Sequence, residues 1–249
     1  FRPLDGLNFV KASREITAGG RTVVLYRAGR TPAGRSASAS HTAAIAGDYA
    51  VTHALAREAG VLVAETLEEF EDLVRLAVRL DGRPLRGHRL GAITNAGFEC
   101  VAMADNLGPF RLAALSDTTR SALRDLLEKA RVGSIVDVHN PLDLTPMTPD
   151  APYEEAIRLV LEDENVDLGI VSCVPLTAAL RTGPNEIDDR DGIAARLIRL
   201  HAASTKPWVA VVDAGPLFDP LARKLDESGL PVFRTVDRTL QALARFRRA

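Results

Sequence analysis

The side chains best placed to do chemistry fall into three runs. The first is Arg30-Thr31-Pro32-Ala33-Gly34-Arg35-Ser36-Ala37-Ser38-Ala39-Ser40-His41-Thr42-Ala43-Ala44-Ile45-Ala46-Gly47, where one histidine stands at the far end of a stretch of small residues that starts near Arg27, Arg30 and Arg35. An imidazole there could serve as nucleophile or base, and the arginines could hold an anion. A surface or helix-capping histidine would have the same neighbours, so spacing alone leaves both readings open. The second run is Thr94-Asn95-Ala96-Gly97, which leads into an apolar helical segment through Val101 and Ala104. Unpaired N–H groups at such a helix start favour a phosphate, and Gly97 lets a ligand approach the backbone; an ordinary strand-to-helix turn is the competing reading. The third, Asn140-Pro141-Leu142-Asp143-Leu144, lies inside the long connection 132–150. Connections of that length are often functional, although Asn-Pro also simply starts turns. His53, His88, His139 and His201 have no carboxylate or cysteine at ligand spacing, so they read as structural or exposed, and no metal site is expected.

These runs need elements to hold them. Residues 87–249 alternate strand and helix: strands at 90–94, 111–115, 167–173, 208–213 and 232–234, with helical patterns such as Tyr153, Ala156, Ile157, Val160 and Leu161, and Leu221 and Leu225 stopping at Gly229. Short, continuously apolar strands between amphipathic helices predict an α/β fold with a flavodoxin-like, doubly wound parallel sheet. With order 2-1-3-4-5, ligands bind beyond the carboxyl ends of the first and third strands, which selects 94–99 and 174–180. A boundary is expected near Arg86, within the Gly- and Pro-containing stretch 81–88. Residues 1–86 read as a helix at 4–18, one strand at 22–26, a long loop at 28–41 and two further helices. The last of these opens on a Thr66/Glu69 capping box and carries Leu67, Phe70, Val74, Ala77 and Val78 on a face that should be buried. One strand does not make a sheet, so this block either packs on the second or is the tail of another α/β domain.

Composition narrows the partners. The chain has 249 residues, 31 Lys+Arg against 33 Asp+Glu and 46% hydrophobic positions, which suits one large or two modest folded domains and excludes disorder for most of its length. A net charge of -2 with only 8 Phe, 3 Tyr and 1 Trp offers neither the cationic excess nor the stacking surfaces of a nucleic-acid binder. Apolar stretches such as 208–212 fall far short of the roughly 20 residues that span a bilayer, and no leader pattern precedes them, so no membrane partner is expected. Cys100 and Cys173 lie in separate apolar segments, which fits a reducing, cytoplasmic setting. Opening at Phe1 rather than a methionine leads us to expect further sequence upstream. A flavin site would need a hydroxyl- and Gly-rich first loop with flanking aromatics, and the stretch around Thr94 has neither.

In order and spacing, the motifs resemble a known family. Ser40-His41-Thr42-Ala43-Ala44-Ile45-Ala46-Gly47, preceded by Val24-Leu25-Tyr26-Arg27-Ala28-Gly29-Arg30, is similar to the phosphohistidine segment of the nucleoside-diphosphate-forming acyl-CoA synthetases, relatives of succinyl-CoA synthetase and the ADP-forming acetyl-CoA synthetases. Ile93-Thr94-Asn95-Ala96-Gly97 and Asn140-Pro141-Leu142-Asp143-Leu144 resemble motifs of the CoA-ligase domain that follows it, so the resemblance spans nearly the whole chain. It implies that residues 1–86 are the C-terminal part of a succinyl-CoA-ligase-like flavodoxin domain, and that 87–249 form the flavodoxin-like ligase domain. It also implies a small carboxylic acid activated with ATP through an acyl phosphate. His41 would be phosphorylated, Asn95, Ala96 and Gly97 would receive the phosphate, and Arg30, Arg35, Asn140 and Asp143 would support the site. CoA and ATP/ADP with Mg2+ would be bound mainly by a CoA-binding Rossmann domain and an ATP-grasp domain outside this chain, in an oligomer. Where relatives often carry a second glycine, this chain has Phe98 and Glu99, and Ala43 replaces a common glycine. Glu99 would repel a phosphate if aimed at it, whereas Phe98 could line an acyl pocket. A non-catalytic regulatory or assembly module of the same ancestry, and a flavodoxin-like binding domain unrelated to CoA, are the competing readings.

Overall fold

The computed structural model describes residues 3–42 and 48–247, with side chains for 5–38 and 48–247. It divides into two compact units, Phe1–Val78 with Arg245–Ala249, and Arg79–Ala244.

The first unit contains α1 (Pro3–Ala18), β1 (Val24–Tyr26), α2 (Pro32–Thr42), α3 (Tyr49–Glu58), β2 (Leu62–Ala64) and α4, which begins at Leu67 and runs to Arg79. β1 and β2 pair in parallel, with Val24 opposite Leu62 and Tyr26 opposite Ala64. Strand alternation then sorts the core onto two faces. Val23, Leu25, Val61 and Val63 meet Phe9 and Val10 of α1, Ala56 of α3 and Ala59 just past its end. Val24, Tyr26, Leu62 and Ala64 meet Phe70, Leu73 and Phe246.

Three expectations for this unit are corrected. A second strand exists, at Leu62–Ala64, short enough to be hidden between two helices. The supposed loop at 28–41 is largely helix, because Thr31 caps it and Pro32 opens it: the Gly34 N–H donates to Thr31 Oγ1 at 3.1 Å and the Arg35 N–H to the Thr31 carbonyl at 2.9 Å. The expected buried face of α4 is also displaced. Leu67, Val74 and Val78 are exposed, and Asp72, Leu73 and Leu76 are buried instead. The helix carries a second apolar stripe, Phe70, Leu73 and Leu76, and packing against the even-numbered side chains of the strands selects that one. The capping box holds, with the Glu69 N–H donating to Thr66 Oγ1 at 3.1 Å, but the Glu69 carboxylate reaches back to the N–H of Glu65 at 2.9 Å.

The second unit runs β3 (Arg89–Thr94), α5 (Gly97–Asp105), β4 (Arg111–Leu112), α6 (Asp117–Lys129), β5 (Leu142–Asp143), α7 (Asp150–Glu162), β6 (Leu168–Cys173), α8 (Ile193–Ala203), β7 (Trp208–Val212), α9 (Asp219–Glu227), β8 (Val232–Phe233) and α10, which begins at Val236. Every strand pairing is parallel and the main order is β4-β3-β6-β7-β8, the expected 2-1-3-4-5 arrangement. All residues of β6 and β7 are buried, as continuously apolar strands covered on both faces must be. α7 buries the predicted face of Tyr153, Ala156, Ile157, Val160 and Leu161, and α9 buries Leu221 and Leu225 before Gly229 turns the chain at φ +100°. The addition is β5: Leu142 and Asp143, expected in a loop, lie beside Ile93 and Thr94 and extend the carboxyl end of β3.

Candidate functional site

The switch point of a doubly wound sheet lies where the first and third strands end, here Thr94 of β3 and Cys173 of β6. Side chains staple those two ends together. The Asn95 amide donates to the Val174 carbonyl at 2.9 Å and accepts from the Val174 N–H at 2.8 Å, and Asn95 is buried. One step below, the Glu99 carboxylate accepts the Ser172 hydroxyl of β6 at 2.6 Å and also the Thr94 hydroxyl of β3. Thr94 Oγ1 in turn accepts the Ala96 N–H at 3.2 Å. Tyr153 of α7 donates its hydroxyl to the Ser172 carbonyl, which ties the helix layer to the same point.

Above this network α5 begins without a side-chain cap at Ala96. The first-turn N–H groups of a helix have no partner within it, and Gly97 and Phe98, both exposed, supply them a few residues past the end of β3. Asp143 shares that end of the sheet. One carboxylate oxygen accepts the Thr145 N–H at 2.8 Å, and the other stands 3.2 Å from where a Cβ on Gly97 would lie. Asn140 does a different job. β3 and β4 diverge after Leu112, and the Asn140 amide fills the gap by donating to the carbonyls of Leu90 and Ala113 at 2.7 and 3.0 Å and accepting the Ala92 N–H at 3.0 Å.

The electrostatics of this edge are acidic. Burial makes Glu99 harder to ionise, raising its pKa despite the opposing hydrogen bonds from Ser172 and Thr94, and burial likewise raises that of Asp213, beyond the end of β7. The Cys100 thiol is pushed up to about 12 by burial and by the carboxylates of Asp143 and Glu99, which keeps it protonated and unreactive near neutrality. Cys173 is likewise pushed up to about 12 by burial.

Of the expected site residues, Asn95, Ala96, Gly97 and Asp143 therefore converge on one sheet edge, whereas the Asn140 amide lies further back along β3, and the side chains of Asn95 and Asn140 are committed to backbone partners. Glu99, Thr94 and Ser172 complete the group. Thr94 and Glu99 flank the turn in sequence, but Ser172 sits in an unbroken apolar strand that gave no sign of them. On α5, Glu99 and Met103 are buried while Val101 is exposed.

Arg30, Arg35 and His41 lie in the other unit. His41 falls in the last turn of α2, and its side chain is outside the described residues, as are 43–47 and hence Ala43. Arg30 stands 3.9 Å from Glu65, an exposed pair. Arg35 packs near the Gly29 backbone, where φ is +88°. Arg27 anchors the start of α3, donating to the Asp48 carbonyl at 2.8 Å and lying 5.9 Å over the Tyr49 ring, while the Asp48 carboxylate caps that helix through the Ala50 N–H at 2.7 Å.

The model for the succinyl-CoA ligase like flavodoxin domain matches residues 4–77. The chain is 30% identical over 92% of its length to the alpha subunit of an ADP-forming acetate–CoA ligase II of Pyrococcus furiosus, of which it covers 48%. The chain is thus similar to the NDP-forming acyl-CoA synthetases. It is also 32% identical, over 95% of its length and 32% of the relative's, to a trans-feruloyl-CoA synthase from an unknown prokaryotic organism. All of the chain superposes on 51% of a Ca. Korarchaeum cryptofilum dinucleotide forming acetyl-coenzyme A synthetase 1 solved with phosphate and ADP, with TM-score 0.78 and 26% identity. The chain thus spans about half the length, or less, of the relatives it matches. Among the described residues no helix is long and apolar enough to cross a membrane.

Proposed function

We propose that this chain is part of an acyl-CoA synthetase that joins a carboxylic acid to CoA and converts ATP to ADP and phosphate. The observation that carries this reading is the likeness to ADP-forming CoA ligases along 92% of the chain, coupled to an uncapped helix start at the switch point of the sheet. On this reading residues 1–86 are the C-terminal part of one flavodoxin-like domain, and 87–249 form the second.

His41 is the nucleophile of the proposed reaction. Its ring nitrogen attacks the γ-phosphorus of ATP, and the P–O bond to ADP breaks. A carboxylate oxygen of the acid then attacks the phosphohistidine phosphorus, and the N–P bond breaks to give an acyl phosphate. Attack by the CoA thiolate on the acyl carbon expels phosphate. The N–H groups of Gly97 and Phe98 hold the phosphoryl oxygens as charge moves, with Gly97 giving close backbone access. Arg30 and Arg35 add positive charge on the histidine's unit. Among the described residues no group of three or more His, Cys, Asp or Glu is arranged to hold a metal. By analogy with the family this chain resembles, Mg2+ and the nucleotide are assigned to an ATP-grasp domain, and CoA to a Rossmann domain, on the same longer chain or a partner subunit in a cytoplasmic oligomer.

One observation favours the second reading, a regulatory or assembly module: carboxylates of Glu99 and Asp143 lie close to the start of α5, where a phosphate would sit. The two readings part on one experiment. Incubated with ATP and magnesium, the complete enzyme acquires an acid-labile phosphoryl group on His41 if it is a synthetase, and none if it is a module.

A further inference from the structure

Glu99 is a buried titratable group that the proposed reaction leaves unused. Its side chain has no solvent exposure, yet it belongs to the first turn of α5, the helix whose amino end is assigned to the phosphoryl group. Its carboxyl bridges the Thr94 and Ser172 hydroxyls, and Thr94 continues the connection to the N–H of Ala96 at the start of the turn. The group is therefore wired to the backbone that would meet an anion and screened from water. We propose that Glu99 is a proton-operated control on anion binding at the amino end of α5: protonated, it admits a phosphoryl-sized anion; ionised, it repels one. This rests on the reading of that helix end as the phosphoryl site.

The physical argument is a competition for one helix dipole. With the amino end empty, its partial positive charge favours an ionised carboxylate in the first turn. A docked anion takes that role and adds a like charge nearby, so Glu99 binds a proton as the anion arrives. Burial already drives the carboxyl in that direction, against the two hydroxyl hydrogen bonds. Asp143 on β5, Asp213 beyond β7, Cys100 on α5, Cys173 on β6 and Tyr153 on α7 also face this region. None of them supplies a positive charge to hold Glu99 ionised, and both aspartates oppose it. By linkage, binding weakens as pH rises through the ionisation of Glu99.

The test uses the whole chain and inorganic sulfate, whose charge is constant from about pH 5 to about pH 8, unlike that of the titrating carboxyl. Sulfate affinity should fall by about a hundredfold or more as pH rises through the ionisation of Glu99, the size expected of one unit charge acting over roughly a helical turn at an effective dielectric of about 20. Glu99→Gln should bind with an affinity that does not change with pH, whereas Asp213→Asn should retain the fall. Should Glu99→Gln fail to fold, the 13C carboxyl resonance of Glu99 in the parent chain gives the same answer, since its midpoint should move to higher pH when sulfate is added. An equal fall in the parent and Glu99→Gln, or a Glu99 midpoint indifferent to sulfate, would overturn this inference and leave the helix-end site standing. No sulfate binding at any pH would overturn the site and this inference together.

Discussion

Asn95 offers the sharpest separation between a ligand-binding and a structural role. Its amide makes paired hydrogen bonds of 2.9 and 2.8 Å with the Val174 carbonyl and N–H, and it is 2% exposed. Asn95→Ala removes both. At about 1 kcal/mol net for each bond the loss is about 2 kcal/mol; the half-buried Val174 can recruit water, which keeps the cost of its stranded groups small. Asn95→Asp keeps the shape but turns an acceptor toward the Val174 carbonyl, and should cost at least as much. Trp208 is the single tryptophan, buried in β7 of the same unit, so its fluorescence follows the unfolding of this unit in urea. A loss of about 2 kcal/mol corresponds to a melting-temperature fall of roughly 4–8 °C for a unit of this size. If both variants kept the parent's stability to within about 0.5 kcal/mol, the staple between β3 and β6 would be wrong and Asn95 would return to the list of phosphate ligands.

Three further predictions concern the same unit. His201 lies 5.5 Å from Trp208, edge to face, with its Nε2 2.7 Å from the Arg83 guanidinium, and burial and that cation hold its pKa down to about 4. A depressed value means that its contribution is complete above the ordinary histidine value of about 6.5 and is lost as pH falls toward 4; the Trp208 fluorescence should titrate near 4, and a midpoint near 6.5 would refute the burial argument. Asp167 accepts N–H groups from His88 and Arg89 at 2.9 Å each and the Arg89 guanidinium at 2.8 Å, which holds its carboxyl well below the usual carboxylate range. Asp167→Asn should therefore lower urea stability at neutral pH by an amount that shrinks as pH drops below about 4, whereas a pH-independent difference would mean the pairing contributes nothing. Gly87→Ala should disturb the same cluster, because φ is +114° and its Cβ would overlap the Asp167 carboxylate; an unchanged melting temperature would argue against that crowding.

Much of this fold was readable wherever burial is two-sided. The strands around Ala92, Ile170 and Ala210 are apolar without interruption and the intervening helices repeat at helical spacing, which together dictate a parallel sheet and its order. The reading failed where short elements or competing stripes decide. Leu62–Ala64 is only three residues long, and nothing local separates it from the end of a helix. Thr31-Pro32 did announce a helix, but the small residues after it resemble a loop, and composition outweighed the cap. On α4 two apolar stripes were present, and only the strands beneath could choose between them. At the candidate site the turn at 94–97 was located by motif, yet the role of Glu99 was not, because the direction of a side chain depends on Ser172, distant in sequence and brought near by strand pairing.

The central claim is that His41 carries the phosphoryl group. The complete enzyme, incubated with radiolabelled ATP and magnesium, should become labelled at His41 through a bond that acid breaks and base spares, since a protonated phosphoramidate hydrolyses readily. His41→Ala and His41→Asn should both lose the label, as neither side chain has a nucleophilic ring nitrogen. A label that maps to another residue, or a His41→Ala enzyme that still forms acyl-CoA near the parent rate, would contradict the account.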